Sequence, residues 1–328
     1  IMFTTTMITG SLITISSTNW MMMWMGLEIN LLSIIPLMSN TKNKMESEAA
    51  MKYFITQAMA STVFMFSIIL IMHQSTPNFM PIQSIIMDSA MLTKMGAAPF
   101  HFWFPEVMEG LTLINSLIML TWQKIAPMIV FMILPKSMIL MTLSIISSML
   151  ISGIMGLNQT SLRKILAYSS INHIGWMLGA MISNQTTWLI YMTIYTITTI
   201  NMIMTLNMSK TLTMSQLMNI MNKNKSVKLL FMMNFLSLGG IPPFIGFFPK
   251  WIIILSMIEM NFYLLTFTMI ISTLITLFYY MRITFSTLTM STSEVMKLQT
   301  MTNKSTIMIL NFLTLSSMVL CPIMLSFL

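Results

Sequence analysis

TKMGAAPFHFWFPEVMEG, residues 93–110, sets a lysine, a Gly-Ala-Ala-Pro run and a histidine inside a segment otherwise apolar enough to cross a membrane. A second stretch, GGIPPFIGFFPKW at residues 239–251, echoes it at an offset of 144, since 240 − 96 = 144. Gly96, Pro99, Phe100, Trp103, Phe104 and Pro105 align with Gly240, Pro243, Phe244, Phe247, Phe248 and Pro249. Both therefore read G-x-x-P-F-x-x-[WF]-F-P. Helix-breaking residues persist at membrane depth only where the freed backbone groups are buried in protein or face water. Interruptions at matching places in two halves of a chain point to an ion or substrate path. Two kinked, purely structural helices would give the same pattern, so the breaks alone leave both readings open.

The surroundings are those of a membrane protein. Of 328 residues 56% are hydrophobic and 7% charged, and mean hydropathy is +0.82. A soluble domain carries roughly 25% charged residues. The apolar content runs on without a soluble block, so one membrane domain, 1–328, is expected rather than two domains. One cysteine, Cys321, excludes a disulfide framework and leaves too few thiolates for an iron–sulfur cluster. The formal net charge of +8 would suggest nucleic acid in a soluble protein. Here it records lysines in loops, and no nucleic-acid partner is expected. Methionine, 45 residues, acts mainly as a flexible apolar filler. Its excess also fits an organellar code in which an isoleucine codon is read as methionine. The N-terminal segment has no arginine and no cleavage-site pattern, so no targeting peptide is expected.

A crossing helix needs about 20 apolar residues. An all-α polytopic protein with about eleven transmembrane helices is expected, at 2–17, 21–38, 49–72, 82–104, 111–134, 138–157, 162–182, 188–206, 227–258, 262–281 and 306–327. The segments 82–104 and 227–258 are the broken ones. A first repeat core then covers 21–134, a second repeat 138–281, and 306–327 is a C-terminal helix. With these crossings Lys42, Lys44, Lys52, Arg163, Lys164, Lys210, Lys223, Lys225, Lys228, Arg282, Lys297 and Lys304 fall on one side. Lys136 alone falls on the other. That asymmetry places the N-terminus and the positive loops on the inner side and the C-terminus opposite.

Three of the 16 basic residues remain inside spans: Lys94, Lys124 and Lys250. Glu28 is the acid set well within an apolar run, while Asp88 and Glu259 lie nearer helix ends and read as interfacial. An ionisable group at bilayer depth costs at least about 2.5–3.5 kcal/mol, which makes such groups rare and usually functional. The structural alternatives are a packing ion pair or a lysine snorkelling to the interface. Snorkelling is hard for Lys124, mid-span in LTWQKIAPMIV. A lysine away from water holds its proton less firmly, and a nearby carboxylate restores the hold. A Glu28–Lys94 pair, made and broken, would let one protonation control the next. Lys94 precedes the first break by two residues, Lys250 follows the second, and Lys124 lies between them in sequence. Chained lysines, a glutamate and internal water are the parts of a proton relay.

Other polar residues read less sharply. His101 would share a face with Lys94 if the helix continued through the break. His173, in YSSINHIGWM, has Ser169 and Ser170 one turn away. Each histidine is a candidate for the path or a satisfied core residue. Asn201 and Asn234 either bind path water or bond between helices. No Cys/His set has metal-ligand spacing, and no dinucleotide or phosphate loop occurs.

WMGLEINLLSIIPLM, KMGAAPFHFWFPEV, TWQKIAP, YSSINHIGWM and GGIPPFIGFFPKW, in that order along nearly the whole chain, resemble the antiporter-like membrane subunits of mitochondrial NADH–ubiquinone oxidoreductase, respiratory complex I. The methionine excess suggests an invertebrate animal source. The resemblance implies a fold shared with Mrp-type cation/proton antiporters, with two inverted five-helix repeats and one broken helix in each. The animal form lacks three N-terminal helices, which agrees with eleven spans. Glu28 matches through GLEIN, Lys94 through K-x-G-x-A-P-F-H, Lys124 through WQK-x-AP and Lys250 through F-x-PKW. The resemblance assigns NADH, flavin, iron–sulfur and quinone chemistry to other subunits, so no cofactor and no redox centre are expected in this chain. It implies proton translocation in the inner mitochondrial membrane, positive loops facing the matrix. The implied partners are other membrane-arm subunits, the lipid bilayer, protons and internal water. A stand-alone cation/proton antiporter would need the same buried charges, and an assembly scaffold could carry them idle.

Overall fold

The computed structural model describes residues 2–40, 43–73, 80–221, 225–242 and 244–289. They form two compact units, divided between Ser148 and Met149. The first contains α1 (Met2–Ser16), α2 (Trp20–Met38), α3 (Lys44–His73), α4 (Met80–Met95), α5 (Trp103–Gly110), α6 (Leu113–Leu120) and α7 (Trp122–Ile133). Helix α8 (Met138–Leu157) contains the division. The second unit continues with α9 (Leu162–Ser183), α10 (Gln185–Ser209), α11 (Met214–Met221), α12 (Lys225–Gly239), α13 (Phe247–Glu259) and α14 (Tyr263–Thr289). No strand occurs among the described residues. An isolated bridge pairs Ser161 with Thr213.

Among the described residues seven helices, counting α6 and α7 as one span, are long and apolar enough to cross a membrane. Met2–Ser16 is a shorter apolar helix, and α4–α5 and α12–α13 are the two interrupted segments. The expected C-terminal helix at 306–327 lies outside the described residues. The span at 111–134 is not continuous: α6 stops at Leu120 and α7 starts at Trp122. Thr121 between them has φ −111° and ψ −72°, and its hydroxyl donates to the Leu117 carbonyl at 2.8 Å. A threonine hydroxyl that bonds the preceding turn competes with the ladder and bends a helix. The polar connection after α10 is not all loop either, since α11 lies within it.

Both interruptions are built the same way. Gly96 has φ +73° and Gly240 has φ +76°, a left-handed turn that glycine adopts without a Cβ clash. After α4, the Gly96 N–H donates to the Thr93 carbonyl at 3.2 Å and the Ala97 N–H to the Leu92 carbonyl at 3.0 Å. After α12, the Gly240 N–H donates to Ser237 at 3.1 Å and the Ile241 N–H to Leu236 at 3.3 Å. Each is the pair of bonds of a Schellman closure, which satisfies the carbonyls that a helix end leaves open. The echo in sequence is therefore an echo in backbone geometry. Pro243 lies outside the described residues.

Packing in the first unit depends on small residues, as expected where lipid offers no hydrophobic drive between helices. Helices α1 and α2 meet closely at Gly10 and Gly26. A Cβ on Gly10 would stand 3.1 Å from the Gly26 carbonyl oxygen, and one on Gly26 would stand 2.9 Å from that of Gly10. That crossing fixes the helix that carries Glu28.

Candidate functional site

In the first unit Lys94 is the penultimate residue of α4, two residues before Gly96 at the break, and it is 7% exposed. Its carbonyl, freed by the end of the helix, accepts from Gln57 Nε2 of α3 at 3.4 Å. The Trp103 indole of α5 donates to the Thr93 carbonyl at 3.1 Å. Beside the lysine lies a cavity of about 20 Å³ bounded by Leu27, Asn30, Tyr53, Gln57, Lys94 and Gln123, among others. A polar space of that size holds about one water. Glu28 and Lys94 interact electrostatically without forming an ion pair within 4 Å. The direct contact expected of them is absent. Their attraction acts across the interior.

A pair of amides joins α2, which carries Glu28, to α7, which carries Lys124. Asn30 Nδ2 donates to Gln123 Oε1 at 3.0 Å, and Gln123 Nε2 donates to Asn30 Oδ1 at 3.0 Å. The Tyr53 hydroxyl also reaches Gln123 Oε1, at 3.4 Å. Asn30 stands two residues from Glu28 and Gln123 directly precedes Lys124. Lys124 is 2% exposed, and its ammonium sits 5.5 Å from the centroid of the Phe104 ring. At that range a ring face attracts a cation. Phe104 lies in the first turn of α5, so Lys124 rests against the first break.

His101 lies in the break itself, buried, with Nδ1 3.3 Å from the Pro99 carbonyl and its ring on Phe102. Because α4 ends at Met95, the helix does not continue through the break, and His101 and Lys94 share no helical face.

In the second unit Lys250 is 6% exposed, and its ammonium donates to the Gly239 carbonyl at 2.8 Å. It therefore closes the last turn of α12 from the other side of the break. Its Nζ lies 5.9 Å from the Trp176 ring centroid on α9. His173, buried on α9, has Nδ1 2.7 Å from the Tyr191 hydroxyl and its ring 4.9 Å from that of Tyr195. These three line a cavity of about 10 Å³ with Ser237 and Pro249, the residue before Lys250. Asn201 Nδ2 donates to Asn234 Oδ1 at 3.1 Å, a bond between α10 and α12.

All three interior lysines thus stand beside a discontinuity of their helix. Sequence reasoning did not find the Asn30–Gln123 pair, whose members are 93 residues apart, nor the break at Thr121. Asp88, read as interfacial, is fully buried against the turn before α8. The echo holds a further contrast. Since 250 − 144 = 106, Glu106 occupies the place in the first repeat that Lys250 occupies in the second. Glu106 is exposed and pairs with Lys52 at 2.9 Å, and Lys52 pairs with Glu48 at 3.0 Å.

A polytopic helical membrane protein with one glycine-closed interruption in each unit, and a buried lysine at each, has the architecture of the antiporter-like class. The transmembrane family described as NADH:quinone oxidoreductase/Mrp antiporter matches residues 17–276. The NADH-ubiquinone oxidoreductase chain 2 of Anopheles gambiae is 47% identical over 287 residues, which cover 85% of this chain and 83% of that protein. The chain 2 of Rhinoceros unicornis is 42% identical over 330 residues, covering 98% and 95%. The chain belongs to the NADH-ubiquinone oxidoreductase chain 2 family. In fold it is similar to a chain of respiratory complex I from Thermus thermophilus with bound aureothin. That match has a TM-score of 0.84 at 21% identity, over 95% of this chain and 75% of that one. A chain of the Mrp complex from Dietzia sp. DQ12-45-1b gives a TM-score of 0.73 at 16% identity, over 85% and 58%.

Proposed function

We propose that this chain is a proton-translocating membrane subunit of the proton-pumping NADH:ubiquinone reductase, respiratory complex I. Its relay runs through Glu28, Lys94 and Lys124 in the first unit and Lys250 in the second. The observation that carries the reading is the placement of each buried lysine at an interruption of its own helix. There the local backbone can change shape as the ammonium gains or loses a proton. His101 and His173 take the positions of path residues beside the breaks, the second next to the residue preceding Lys250. Asn201 and Asn234 hold helices together. Electron transfer from NADH to ubiquinone belongs to other subunits, so this chain holds no cofactor. It sits in the inner mitochondrial membrane with its N-terminus and positive loops toward the matrix, against other membrane-arm subunits and lipid. Internal water carries protons between its charged groups.

The test is the proton-to-electron ratio of the complex in vesicles, with Lys94→Met and Lys124→Met. NADH oxidation by an artificial acceptor serves as the control for assembly. The expected result is an intact artificial-acceptor rate with lowered pumping in both. Parental pumping in both would show the buried charges to be idle. If the chain instead ran apart from NADH dehydrogenase activity on a native gel and exchanged cations for protons, it would be a stand-alone antiporter.

A further inference from the structure

Asp88 of α4 is a buried carboxyl that the relay leaves unused, and it is 0% exposed. Its Oδ2 accepts from the Ser137 N–H at 2.8 Å and the Ser137 hydroxyl at 2.6 Å. Ser137 immediately precedes α8, and its own carbonyl accepts from the Met141 N–H at 3.0 Å. Asp88 therefore caps the start of α8 from another helix. A cap, however, needs only an acceptor, and asparagine or serine serve as well as aspartate. A full negative charge in this place is costly, and among the described residues no cation lies within 4 Å of it. Oδ1 is buried and has no hydrogen-bond partner among the described residues.

The charged groups around it are few. Helices α3 and α7 pack on α4. The first carries Lys44, Glu46, Glu48, Lys52 and His73, the second Lys124. The charge that acts on Asp88 is that of Lys136, in the turn before α8. Half-burial makes the Lys136 ammonium easier to deprotonate, and the charge of Asp88 opposes this. In the topology proposed above, Lys136 is the loop cation on the side opposite the positive loops. Asp88 then lies between Lys94, six residues and about 9 Å further along α4, and that outer surface.

We propose that Asp88 takes up and releases a proton during turnover, with Lys136 as its counter-charge. In the neutral acid the proton is held on Oδ1, while Oδ2 keeps both bonds to Ser137. Release breaks the Oδ1–H bond, hands the proton to water at the turn before α8, and leaves a carboxylate facing Lys136. Uptake forms the Oδ1–H bond again with a proton passed through water from the Lys94 ammonium, which becomes a neutral amine. No electron moves. The proposal rests on the relay reading of Lys94, and its test separates the two.

The test compares Asp88→Asn, Asp88→Glu and Lys94→Met in the intact complex, by proton-to-electron ratio and by NADH oxidation with an artificial acceptor. Asparagine can still accept from Ser137 but cannot titrate. Glutamate keeps a carboxyl one methylene longer. The expected result is an assembled Asp88→Asn complex with a lowered ratio, at least partly recovered in Asp88→Glu. A parental ratio in Asp88→Asn overturns the proposal, as does an Asp88→Glu complex that assembles and pumps no better than Asp88→Asn. Lowered pumping in Lys94→Met beside parental pumping in Asp88→Asn would leave the relay standing and reduce Asp88 to a cap.

Discussion

Asn30 and Gln123 exchange two hydrogen bonds of 3.0 Å each, and so tie the helix carrying Glu28 to the helix carrying Lys124. Removing one partner strands the other in the interior, at a cost of about 1–3 kcal/mol, whereas removing both is nearly neutral. Gln123→Leu is expected to lower the thermal stability of the complex, and Asn30→Leu/Gln123→Leu to recover most of it. Additive losses would show that the pair does not act as a unit. The same cycle on Glu28→Gln and Lys94→Met should give a smaller coupling, since those two attract without touching.

Gly240 is confined by its backbone and by its neighbour. Its φ of +76° disfavours any side chain by about 1–2 kcal/mol. A Cβ there would stand 2.8 Å from Lys250 Nζ. At Gly96 the strain is similar, but the Cβ would meet the Phe104 side chain at 3.2 Å. Gly96→Ala and Gly240→Ala should therefore destabilise the complex alike. Gly240→Ala should also displace Lys250 and lower pumping per remaining complex more than Gly96→Ala does. Equal pumping in the two would contradict this.

Lys250→Arg separates a fixed charge from a proton carrier. The guanidinium can still donate to the Gly239 carbonyl, as Lys250 does at 2.8 Å, but it cannot give up its proton in a protein. The complex is expected to assemble and oxidise NADH with artificial acceptors, with lowered ubiquinone-linked turnover and pumping. A parental rate and ratio would make Lys250 a structural cation.

Orientation is checked by labelling. With positive loops toward the matrix, a cysteine placed at Lys210, which follows α10, should resist an impermeant thiol reagent in intact mitoplasts. One placed at Lys136, between α7 and α8, should react. The reverse pattern would invert the topology.

The two main interruptions were legible because glycine and proline announce them, and their register at an offset of 144 survives in the backbone. The buried lysines were legible because a cation in an apolar run has few innocent explanations. Thr121 gave no such notice, since threonine is common within helices and only its backbone angles and its hydroxyl bond to Leu117 show the bend. Asn30 and Gln123 are ordinary amides until the fold brings helices 93 residues apart together. The burial of Asp88 was not legible, because nearness to a helix end does not tell whether a neighbouring turn covers that end.

Both breaks share one main-chain closure, at Gly96 and at Gly240, whichever side chain follows the proline, and in one of them Lys250 adds its own bond to the Gly239 carbonyl. Glu106 and Lys250 show what that latitude permits: one mechanical part, repeated, with an acid facing outward in one copy and a base turned inward in the other. Specialising a duplicated half then requires replacing a single side chain rather than rebuilding a helix. The division of labour between the halves can change faster than the architecture that houses it.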